Sequence, residues 1–141
     1  MVNDIVTGIA VKLDEEFGDK FKIYDSKVRQ GTEVPCFYIK LLTTLRTPYI
    51  GDRRRISYPF DIHLLPDEGM DDVIMAETGE TMMELLKRIT LLNGDIVHGR
   101  DISFQITDDV LHFFVTYSVT VNNMDRADPM QECEIEVRAD G

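Results

Sequence analysis

Cysteine is scarce in this chain, which carries two, Cys36 and Cys133, with no CxxC pair and no histidines at metal-ligand spacing along the sequence. Two thiols cannot build a disulfide framework, and neither a zinc site nor any other cofactor is expected from such spacing; reduced thiols are the default. Long apolar runs are missing too. Stretches such as VLHFFV at 110–115 are far too short to span a bilayer, so no membrane partner is expected. Asp4 stands where a signal peptide would carry lysine or arginine, and synthesis and residence inside the cell are the expectation. Low-complexity tracts and internal repeats are absent. So are GxxxxGK, GxGxxG after a strand, GxSxG and HExxH, which removes the common nucleotide-binding and hydrolase signatures.

What is present is an ordinary globular composition with extraordinary charge placement. Apolar residues make up 43% and charged residues 29% of 141 residues, enough to bury a core. Residues 1–60 hold 10 Lys+Arg against 8 Asp+Glu, whereas residues 61–141 hold 5 against 18, giving a net charge of −11. So acidic a surface repels phosphate backbones, and sequence-specific nucleic-acid binding is not expected.

Periodicity divides the first 124 residues into one domain. Ile5, Ile9, Leu13 and Phe17 fall at four-residue steps and predict an amphipathic helix with Asn3 as N-cap and Gly18 as its stop. FKIYD at 21–25 reads as a short strand. PCFYIKLLTTL is β-rich and apolar on both faces, with Phe37, Ile39 and Leu41 on one and Cys36, Tyr38 and Leu42 on the other. In RRRISYPFDIHLLP, Ile56, Tyr58, Phe60, Ile62 and Leu64 alternate with Arg53, Arg55, Ser57, Asp61 and His63, and Pro59 points to an edge or a bulge.

A second helix is predicted from Asp71 to Leu92, with Asp71 or Asp72 as its cap, Met75, Met82, Leu86 and Ile89 on one stripe and Gly79 as a weak point. Asn93-Gly94 signals a turn, and DISFQIT pairs through an Asp108-Asp109 hairpin with VLHFFVTYSVTV. The expected fold is α+β: a mostly antiparallel sheet of about five strands with both helices on one face. Tyr38, Leu42, Val110 and Phe114 are left on a second face with no helix to cover them, a placement that commonly marks protein contacts. Residues 125–141 read as an acidic C-terminal arm whose Cys133, Ile135 and Val137 alternate with glutamates, able to add a strand to a neighbour.

One constellation is a candidate for chemistry. Asp61 and His63, two apart on a strand, project to one side, and His112 with Asp108 or Asp109 could join them as a metal-dependent hydrolase would require. Asp61 paired with Arg53 or Arg55, or with a neighbouring subunit's arginine, is the plainer expectation. Cys36 is expected to be a buried hydrophobe. Arg53, Arg54 and Arg55 admit three readings: a solvated face, a contact for an acidic partner surface, or phosphate contact.

Taken in order and spacing, NDIVTGIAVKLDEEFGD, EVPCFYIKLL, RRRISYPFDIHLLP, GRDISFQITDDVLHFFVTYSV and the arm PMQECEIEV resemble the tail terminator (tail completion) family of long-tailed phages and prophages of Gram-positive bacteria. The resemblance implies a non-enzymatic virion component assembled in the bacterial cytoplasm. It implies a ring, expected to be a hexamer, that caps the tail tube, stops its polymerisation and joins the tail to the head connector, with DNA passing through the lumen. Its partners are then further copies of itself, the tail tube protein and connector proteins. The interface residues expected are Arg53, Arg54, Arg55, Asp61, His63, Tyr38, Leu42, Phe114, Cys133, Ile135 and Val137. Another head–tail adaptor or completion protein is the neighbouring alternative. The RRR run departs from the more mixed basic and aromatic segment that the family suggests there.

Overall fold

The computed structural model describes residues 1–25 and 33–122 of the chain. Helix α1 covers Val2–Phe17, strands β1 Lys22–Tyr24, β2 Cys36–Leu41, β3 Leu45–Pro48 and β4 Arg53–Leu65 follow, then helix α2 Asp72–Leu85 and strands β5 Arg88–Thr90, β6 Ile96–Thr107 and β7 Val110–Asn122. The strands form one mixed sheet in the order β1-β2-β4-β7-β6-β5, with β3 also paired to β4. All pairings are antiparallel except β1 with β2. The α+β architecture is the one expected, with seven strands in place of five.

The core lies on one side of this sheet. Ile62 and Phe113, Leu64 and Leu111, Phe60 and Val115 stand directly opposite each other across β4 and β7, and all six are buried together with Ile5, Ile9 and Leu13 of α1 and Met75 and Met82 of α2. Burial of this kind contributes roughly 1.5–3 kcal/mol per large side chain and is the main force holding both helices to the sheet. Close approach is built in at the glycines. A Cβ at Gly8 would lie 3.2 Å from the Thr90 carbonyl oxygen, and one at Gly79 would lie 3.0 Å from the Phe104 ring. Gly79 is therefore where α2 seats on β6 rather than merely a weak point.

Several local expectations are corrected. The first helix begins at Val2, with Met1 at the cap position and no side-chain cap, so Asn3 lies inside it. Asp71 does cap α2, its Oδ1 accepting from the Ile74 backbone N–H at 2.9 Å. That helix stops at Leu85, seven residues early, because the β-branched pair Ile89-Thr90 pairs with Ile96 and Val97 across the Asn93-Gly94 turn. Ile89 is buried either way, so its helical spacing was coincidental. Pro59 is not on an edge strand: β4 is central. Pro59 falls between the end of the β2 pairing and the start of the β3 pairing, where its carbonyl accepts from Leu42 N–H and no N–H is demanded of it.

The Asp108-Asp109 turn forms as predicted, both residues at positive φ, as a two-residue type I′ hairpin requires. Residues 123–141 lie outside the described residues, and with them the proposed arm and Cys133, Ile135 and Val137.

Candidate functional site

The far face of the sheet, opposite the helices, is built by the other half of each strand's alternation. Across it, Tyr38 of β2 pairs with His63 of β4, His63 with His112 of β7, and His112 with Gln105 of β6, while the next row runs Lys40, Asp61, Phe114, Ser103. Tyr38, Leu42, Val110 and Phe114 do lie on this side and are half-buried. Its middle is polar rather than greasy, which the apolar ends of these segments concealed.

At its centre Asp61, 8% exposed, sits between two imidazoles. Its Oδ2 lies 3.1 Å from His112 Nδ1, in hydrogen-bonding geometry, and 3.0 Å from His63 Nε2. The second approach is close but off axis, leaving the buried His63 Nε2 without a hydrogen-bond partner among the described residues. Burial pushes the His63 imidazole below its ordinary value, outweighing the upward pull of the Asp61 carboxylate. The two imidazole centroids are 4.4 Å apart, Tyr38 meets His63 edge-on at 5.4 Å, and Phe114 stacks with His112 at 6.4 Å.

The structure thus gathers Asp61, His63 and His112, and excludes two other expectations. Asp108 and Asp109 occupy the exposed hairpin turn and are not part of the trio. Asp61 is held by the histidines, not by Arg53 or Arg55. Those arginines lie toward the opposite end of β4, some six to eight residues and roughly 20–26 Å along a strand away. Cys36 is fully buried, and burial pushes its thiol up, as an inert hydrophobe requires.

The arginine run is split by the strand's own pleat. Arg53 is exposed and Arg55 half-buried, while Arg54 points to the core side and is 8% exposed. The expectation of one three-residue patch is therefore corrected to two outward arginines. They are joined by a feature the sequence analysis missed, the β3–β4 hairpin, which pairs Leu45 with Ser57 and Thr47 with Arg55. It exposes Leu45 at the start of β3 and Tyr49 and Ile50 at its tip, and the Arg55 guanidinium lies 4.7 Å from the Tyr49 ring centroid. Gly51-Asp52 between two β-rich stretches was the available signal, with Gly51 at φ +67.

The other end of β4 has the opposite sign. Asp67, Asp71, Asp72 and Asp109 line a surface groove of about 530 Å³ with Pro66, Met70, Val73 and Met75. The thirteen-residue strand β4 is thus basic and apolar at one end and acidic at the other. The model of a family described as phage tail terminator protein matches residues 4–129, and the chain belongs to that family. This is a family of structural phage-tail proteins rather than of enzymes, so the protein is a virion component of the tail. No curated protein matches the chain.

Proposed function

We propose that the chain assembles head to tail into a closed ring, expected to be a hexamer, that caps the tail tube, halts its polymerisation and joins the tail to the head connector. The observation that carries this is the polarity of β4. Arg53 and Arg55 with the exposed Leu45, Tyr49 and Ile50 lie at one end, and the carboxylates around Asp71 and Asp109 lie at the other. A heterologous interface between unlike patches closes into a ring when the rotation between subunits divides a full turn. Complementary charge then fixes register, and the hairpin tip supplies the apolar centre. The half-buried Tyr38, Leu42 and Phe114 extend the contact surface, and the stretch holding Cys133, Ile135 and Val137 would add a strand to the next copy. The family's role at the tail supports contacts with tail tube and connector proteins, with assembly in the host cytoplasm and DNA traversing an acidic bore without sequence-specific contacts.

Native mass measurement, alone and with tail tube protein, tests the ring, and electron microscopy of phage carrying a nonsense mutation here tests the cap. Rings of identical copies and tails of uncontrolled length without heads are expected. Mature, correctly joined tails in the mutant would sink the proposal.

A further inference from the structure

We propose that Asp61, His63 and His112 form a binding site for one transition-metal dication of the Zn²⁺ class on the helix-free face of the sheet. The trio follows from strand geometry: Asp61 and His63 are two apart on β4, and His112 stands directly across from His63 on β7. One ligand atom from each lies within 4.8 Å of the others. Tetrahedral coordination at about 2.0–2.1 Å needs ligand atoms about 3.3 Å apart. The Asp61 oxygen already stands 3.0 and 3.1 Å from the two nitrogens, so small rotations of the imidazoles complete the set.

The donor chemistry selects the ion. Two imidazole nitrogens with one carboxylate suit Zn²⁺, Co²⁺ or Ni²⁺, whereas Mg²⁺ and Ca²⁺ prefer all-oxygen shells. Three protein ligands leave a fourth position, which here faces the side that neither helix covers. His112 Nδ1 meets the carboxylate in hydrogen-bonding geometry, whereas His63 Nε2 stands 3.0 Å from the same oxygen outside that geometry. A metal between them would give both nitrogens and the carboxylate oxygen one directed partner. Tyr38 and Phe114 neighbour the two imidazole rings, edge-on and stacked. Lys40, opposite Asp61 on β2, is exposed, and its charge is felt at His63 through solvent. The proposal rests on these side chains and is independent of ring formation.

Chelator-competition titration of the full chain with Zn²⁺, Co²⁺ and Mg²⁺ tests it, alongside His63→Gln, His112→Gln, Asp61→Asn and, as a control, the exposed His98→Gln. Expected are one tight equivalent of Zn²⁺, a Co²⁺ spectrum of tetrahedral nitrogen and oxygen ligation without thiolate bands, and no competition by Mg²⁺. Affinity should fall roughly 100-fold or more in the three trio variants and stay unchanged in His98→Gln. Far-ultraviolet circular dichroism checks that each variant folds, and any one folded trio variant suffices. Tight binding that survives in a folded trio variant, thiolate bands, or Zn²⁺ affinity no better than that of the folded variants would overturn the site.

Discussion

The two faces of the sheet are built from the same strands, yet they obey different rules. On the helix side, Phe113 is fully buried among aliphatic and aromatic neighbours. One residue on, Phe114 is half-buried on the other side, stacked with His112 and opposite Asp61. The first side is covered by the chain's own helices, and the second keeps its apolar groups half-covered. The stabilising core thus lies on one surface and the proposed contacts on the other, a division that substitutions can test.

The largest effect is expected from the adjacent phenylalanines. Phe113→Ala should cost about 3–5 kcal/mol in urea unfolding. Phe114→Ala should cost clearly less in the monomer and show its main loss in ring assembly, measured by native mass. Equal losses of monomer stability would erase the distinction between the faces. Next comes Gly99→Ala, whose Cβ would meet Val115 Cγ2 at 2.8 Å and the Leu86 carbonyl oxygen at 2.9 Å. Overpacking against a backbone atom should destabilise by about 1–3 kcal/mol in the same assay.

Tyr117 tests the covered side chemically. Its hydroxyl donates to the Leu86 carbonyl at 2.6 Å, and burial pushes its pKa well above the ordinary 10.0. Tyr117→Phe leaves that carbonyl without its partner and should cost about 1–3 kcal/mol near neutrality. The difference narrows in alkali. Because the folded-state value is raised, the stability this group contributes is fully present below the unfolded value of 10.0. It drains away as pH climbs from there toward the folded value. Stability above pH 10 should therefore fall less steeply in Tyr117→Phe than in the native chain, as urea midpoints across the alkaline range would report.

The smallest effect on folding is expected at the outward arginines. Arg53→Glu with Arg55→Glu should leave monomer stability within about 1 kcal/mol, since neither arginine forms an ion pair among the described residues and Arg55 gives up only its cation–π contact with Tyr49. The same pair should weaken head-to-tail assembly. Unchanged ring formation would leave these arginines as solvated surface. Arg54 does not belong in that test, because it lies on the core side.

Much of the fold was legible because local rules and tertiary demands agreed. The strict alternation of β4 and β7 put the right residues inward, Asp71 capped its helix, and Asp108-Asp109 turned as its chemistry allows. Where the expectations failed, two local signals competed. Leu86 and Ile89 fit a helical stripe, but the neighbouring Asn-Gly turn and β-branched residues made a hairpin worth more to the sheet than another turn of helix. The β3 strand escaped because its residues are all exposed and carry no buried alternation.

The α+β class, the inward rows and the two capped or turned ends follow from residue order alone, since these depend on period and backbone preference. Tertiary structure alone decided which outward residues meet. Asp61 and His112 are 51 residues apart in sequence, and β4–β7 register is set by the buried rows on the opposite side. That register, not any motif, brought the His112 imidazole to the Asp61 and His63 pair on β4.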